Sequence, residues 1–170
     1  MLLLQLFILI CLGLICYQDM RYRAVYWICF PFLGILLLLF KQQHTSMYDV
    51  LTESVYAFLF IGIQFVLLSL YFSLKNKRFI NITHQYLGWG DILFLLAITF
   101  YLSPVNYVLF YVGSLIVVLL YTFTQQILLK KVNPQIPLAG LQALLLCFVL
   151  VFSLINPSFK LYTDSWIYGI

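Results

Sequence analysis

Only five of the 170 residues are acidic, and two of these, Asp19 and Asp91, stand where a carboxylate can do chemistry. Asp19 follows a long uncharged run, in Tyr17-Gln18-Asp19-Met20-Arg21-Tyr22-Arg23, and Asp91 follows Gly88-Trp89-Gly90 and precedes another such run. Two carboxylates brought close cannot both ionise cheaply, so the pair holds one proton near neutrality and titrates as a unit. In that state the ionised member takes a proton from water, and the protonated member polarises a carbonyl under attack. No Ser/His or Cys/His set competes for such a role, and no metal or other cofactor is implied. The two histidines, His44 and His84, fall in separate loops. Cys11, Cys16, Cys29 and Cys147 lie inside apolar runs with no C-x-x-C spacing, and they read as small core residues.

Each aspartate also has a plainer reading. Asp91 after a Gly-containing turn can be a helix cap. Asp19 can be a boundary residue paired with Arg21 or Arg23. The choice depends on the elements that carry the two residues.

Those elements are built for lipid. The chain is 65% hydrophobic, 19% aromatic and 8% charged, with a mean hydropathy of +1.06. A soluble domain carries roughly 25% charged residues. The deficit excludes an ordinary cytosolic enzyme, a disordered chain and a nucleic-acid binder, and the length allows a single domain over 1–170. A membrane helix needs about 20 apolar residues. The uncharged run 92–129 is nearly twice that and must fold back once, at Ser103-Pro104-Val105-Asn106, where proline removes a donor and restricts its neighbour. The fold class expected is therefore all-α and polytopic, with six spans near 1–17, 24–40, 48–74, 90–102, 105–129 and 137–155. The first apolar stretch lacks a basic start and a small-x-small cleavage pattern, so it is expected to be a retained span.

The basic residues orient these spans. Arg21, Arg23, Lys75, Lys77, Arg78, Lys130 and Lys131 fall in alternate loops on one side, against Lys41 and Lys160 on the other. By the positive-inside rule the first set faces the cytoplasm and both termini lie outside it. The net charge of +4 then reports orientation rather than an acidic partner. Asp19 and Asp91 fall on the cytoplasmic face, both at span ends. Asp91 opens an unusually short span, and irregular backbone at membrane depth is tolerated only where it is enclosed by protein or lines a cavity. Gly88 and Gly90 allow close approach and positive φ beside it.

The G-x-G-D element opening a short span, with a second Asp after an earlier span, resembles the GxGD intramembrane aspartyl proteases. Six spans and the segment Asp19-Met20-Arg21-Tyr22-Arg23 are similar to the type IV prepilin and preflagellin peptidases, and Ile136-Pro137-Leu138-Ala139-Gly140 opens the last span as a third, weaker element. The resemblance implies an enzyme of the cytoplasmic (inner) membrane that removes a basic leader from prepilin-like precursors. It implies Asp19 and Asp91 as the catalytic pair, with Gly88 and Gly90 shaping the second site. It also implies the short form, without the extension linked to methylation. The chain departs from the family pattern at Tyr26-Trp27, where many members carry Pro-Asn, and at Leu93, where many carry Lys. The alternative is a non-catalytic scaffold or small proton-coupled transporter, with the aspartates as caps or proton carriers.

Further expectations concern the rest of the chain. Ser46-Met47-Tyr48-Asp49 has the form of a capping box, and Glu53 belongs with that helix start. Lys75–Tyr86 is the longest polar stretch and leads into the Gly88–Asp91 element, as either a gate or a solvated loop. Trp166 and Tyr168 suit an outer aromatic anchor.

Overall fold

A computed structural model describes residues 2–77, 88–129, 136–156 and 159–164. The polar stretch beyond Lys77, Arg78, His84, Lys130, Lys131, Trp166 and Tyr168 lie outside the described residues. Among the described residues the chain is all-helical, without strands. Its helices are α1 (Leu2–Tyr22), α2 (Cys29–Gln42), α3 (Met47–Asn76), α4 (Trp89–Ile98), α5 (Pro104–Leu129) and α6 (Leu138–Ile155). α1, α3, α5 and α6 are long and apolar enough to cross a membrane. α2 and α4 have 14 and 10 residues. At 1.5 Å per residue they extend about 21 and 15 Å, short of a bilayer core of about 30 Å.

Helix ends follow local chemistry. Ser46 caps α3: its Oγ accepts from the Asp49 amide at 3.2 Å and donates to Asp49 Oδ2 at 2.7 Å, so the expected serine cap forms, with Asp49 reaching the hydroxyl. The fold-back also falls where proline demands it. α4 stops at Ile98, residues 99–103 turn, and Pro104 is the first residue of α5, where its missing N–H costs nothing. Three boundaries differ most from the expected spans. α4 ends four residues short of 102, α1 runs on to Tyr22, which puts Asp19 in its final turn, and α2 begins only at Cys29. Between them Arg23 takes a left-handed φ of 55°, and the Tyr26 amide is held by Gln18 Oε1 at 3.1 Å. Hydropathy marks where a segment sits in lipid, and it is blind to such a local turn.

The core is made of helical stripes. Ile8, Leu12 and Ile15 of α1 face Ala139, Ala143, Leu146 and Leu150 of α6, and Phe30, Leu33 and Leu37 of α2 face Phe94, Leu95 and Ile98 of α4. Ala139, Gly140 and Ala143 let α1 come close to α6, as small residues do where lipid gives helices no hydrophobic reason to associate. The opposite faces are also apolar, with Leu6, Ile10, Val66 and Leu70 all more than half exposed. A water-soluble protein does not expose such continuous apolar surface.

One end of the bundle is tied by polar groups. Lys41, fully buried at the end of α2, meets Glu53 of α3 at 2.5 Å and the Leu102 carbonyl at 3.4 Å. Asn106 Nδ2 lies 2.8 Å from Ser103 Oγ and 3.0 Å from the carbonyls of both Leu161 and Thr163. Ser103 Oγ also bonds Asp164 at 2.5 Å. Segment 159–164 is thereby folded back onto the turn between α4 and α5.

Candidate active site

α6 begins after Pro137, which provides no side-chain cap. The first amides of a helix have no partner within it and carry the positive end of its dipole. Two carboxylates from other helices take up these donors. The Ala139 amide donates to Asp91 Oδ1 at 2.8 Å, and the Gly140 amide donates to Asp19 Oδ2 at 2.6 Å. Consecutive amides of one helix start thus hold aspartates that stand far apart in the chain. Their charges are near enough to interact, and Arg23 adds an attractive charge to Asp19.

Asp91 is doubly held. Its Oδ2 accepts from the Gly88 amide at 3.2 Å, the return half of a capping box in which Gly88 is the N-cap of α4. The plain reading makes Asp91 the helix cap; the N-cap is instead Gly88, and Asp91 is the N3 partner that bonds back to it. Its other oxygen is left to reach α6. Asp19, in the last turn of α1, is brought to the same place by the packing of α1 along α6.

The glycines divide by role. A Cβ on Gly140 would stand 3.0 Å from both Cβ and Oδ2 of Asp19, so only glycine permits this approach without displacement. A Cβ on Gly88 would lie 3.1 Å from Asp91 Oδ2. One on Gly90 would meet only the Phe30 ring, at 3.5 Å, an ordinary contact. Gly88 has φ −68°, and Gly90 lies within the right-handed helix α4. The site thus uses close approach at Gly88, and the positive φ expected beside Asp91 is not used there.

Sequence reasoning underrated Ile136–Gly140 and did not assign it a role at the site. The signal was present, because Pro137 starts a helix with no capping side chain and Gly140 stands three residues on. It missed Gln142 altogether. This side chain is fully buried, and its Nε2 donates to Ser114 Oγ of α5 at 3.0 Å. Its Oε1 has no partner among the described residues. Trp27 and Leu93, two of the departures from the family pattern, fall on one apolar groove of about 460 Å³ along α2 and α4, together with Phe30, Gly34 and Ala97.

No family model, curated protein sequence or solved structure matches the chain. The arrangement is therefore judged on its own chemistry. It presents two carboxylates at the positive end of a helix dipole, Asp19 with one oxygen and Asp91 with both on backbone N–H groups, and each half-buried among apolar helices. The described residues contain no group of His, Cys, Asp and Glu suited to hold a metal ion.

Proposed function

We propose that the chain is an intramembrane aspartyl endopeptidase, acting on prepilin-like precursors at the cytoplasmic face of the cell membrane. One observation carries this reading: Asp19 and Asp91 share the start of α6, on the consecutive amides of Ala139 and Gly140. In the proposed reaction one aspartate is ionised and takes a proton from water as the water oxygen attacks the scissile carbonyl carbon. The other is protonated and hydrogen-bonds the carbonyl oxygen, then delivers its proton to the leaving amine as the C–N bond breaks. The α6 amides hold the pair in place through these changes. With α2 and α4 counted as spans there are six, and the basic loops put both termini outside the cytoplasm and the aspartates near its face.

The same hydrogen bonds favour a second reading, a membrane scaffold in which the aspartates only cap α6. Asparagine separates the two, because its side-chain oxygen still accepts from a backbone N–H but cannot hold or transfer the proton. The experiment is co-expression of a pilin-like precursor with wild type, Asp19→Asn or Asp91→Asn, following leader removal by gel shift. Loss of processing in both variants, with folded protein retained in the membrane, supports the peptidase. Processing that survives either substitution sinks it.

A further inference from the structure

At the end of the bundle away from the aspartates lies a cavity of about 220 Å³ that plays no part in the proposed reaction. Its apolar wall comes from Ile8 and Leu9 of α1 and Leu150 and Leu154 of α6. Its polar side is formed by Gln5, His44, Tyr101, Lys160 and Tyr162.

Tyr101 is 1% exposed and lines this space, yet its hydroxyl has no hydrogen-bond partner among the described residues. Gln142 Oε1 is the one fully enclosed side-chain atom without a partner among the described residues, so the Tyr101 hydroxyl opens onto the cavity and can donate to what occupies it. The His44 ring lies 5.0 Å from Phe40 and 4.7 Å from Tyr162, centre to centre. Its Nδ1 is 3.0 Å from the Phe40 carbonyl, which makes Nδ1 the protonated nitrogen and leaves Nε2 for another partner. Lys160, exposed in the folded-back segment, supplies a positive charge at the rim. Among the described residues no carboxylate lines the cavity.

Donors and one cation combined with aliphatic walls suit an amphiphile with an anionic head. The wall residues continue into outer faces of α1 and α6, where Leu6, Ile10 and Leu154 are 54%, 58% and 46% exposed. A chain leaving the cavity along them passes directly into the bilayer. A free phosphate would satisfy the donors but leave the aliphatic wall bare. The geometry points to a binding site for an anionic phospholipid of the leaflet opposite the aspartates, its phosphate meeting Tyr101 and Lys160 and its acyl chain lying between α1 and α6. Such a lipid braces segment 159–164 against the bundle. The site is independent of the peptidase reading, and each can fail without the other.

The test uses the full chain in neutral detergent, titrated with dioleoyl phosphatidylglycerol, dioleoyl phosphatidylcholine or inorganic phosphate while the thermal midpoint is followed. Phosphatidylglycerol is expected to raise the midpoint by several degrees and the other two to leave it unchanged. Tyr101→Phe keeps the ring contacts with Phe40 and Tyr162 and removes only the donor. Lys160→Gln changes an exposed residue. Each variant is expected to fold as wild type does and to bind phosphatidylglycerol at least fivefold more weakly. Equal effects of the two lipids, a shift reproduced by inorganic phosphate, or wild-type affinity in both variants would each overturn the proposal.

Discussion

The two aspartates occupy positions where hydrogen bonding and the proposed catalysis ask for different things from one carboxylate, and substitutions can separate the demands. Asp19→Asn keeps an acceptor for the Gly140 amide, and Asp91→Asn keeps one for the Ala139 amide while giving up the longer bond from Gly88. Each is therefore expected to leave the melting temperature within a few degrees of wild type. Leader removal should fall by at least about 10²-fold, the usual scale of a lost general acid or base. Gly140→Ala makes the opposite prediction. Its methyl group meets Asp19 at 3.0 Å, so it should displace that carboxylate and cost about 1–3 kcal/mol of stability, as overpacking does. Gly90→Ala, with only the Phe30 ring at 3.5 Å, should be nearly silent. Thermal unfolding of the two glycine variants side by side checks this, and an equal effect would contradict the geometry.

At the scale of helices, what matters is which ends are tied together. Lys41 lies fully buried against Glu53, which is 28% exposed, so it joins the end of α2 to the first turns of α3. Lys41→Met removes one partner of a buried pair and is expected to cost roughly 3 kcal/mol. Lys41→Met combined with Glu53→Gln should recover part of that loss, a comparison made by unfolding in detergent. Asn106 binds segment 159–164 through the Leu161 and Thr163 carbonyls. Asn106→Ala should release it at a cost of about 2 kcal/mol for the bonds lost. Limited proteolysis would then cut after Lys160 in the variant and spare the wild type. These ties were only partly legible beforehand. The Ser46 cap was readable because its partners are three residues apart, whereas Lys41 was counted as a loop charge because Glu53 and Leu102 reach it only through folding.

For the molecule as a whole, the short helix α4 and the packing of α1 on α6 bring the two aspartates to one end of an apolar bundle, where the proposed reaction needs them. A pair that works with a single shared proton has a fixed sign of response at each extreme of pH. In acid both carboxylates are protonated and no base remains. In alkali both are ionised and nothing polarises the carbonyl. Processing in detergent should therefore trace a bell against pH, and each limb should report the pair rather than one residue. A monotonic profile across the range in which the protein stays folded would count against the shared-proton mechanism.

Composition and charge spacing determined by themselves that this chain is apolar and helical, folds back at Ser103–Asn106, and carries two isolated aspartates at segment ends. These properties are local: a 20-residue window, a proline or a capping serine acts on its neighbours. Tertiary structure alone decided that Asp19 and Asp91 come to one place, because the link between them is a third element, the bare N-terminus of α6, whose donors at Ala139 and Gly140 have no local partner. It also decided that Gly140 has to be glycine and that Lys41 is buried. Both follow from approaches between helices, and no spacing along a single chain records how closely two helices will pack.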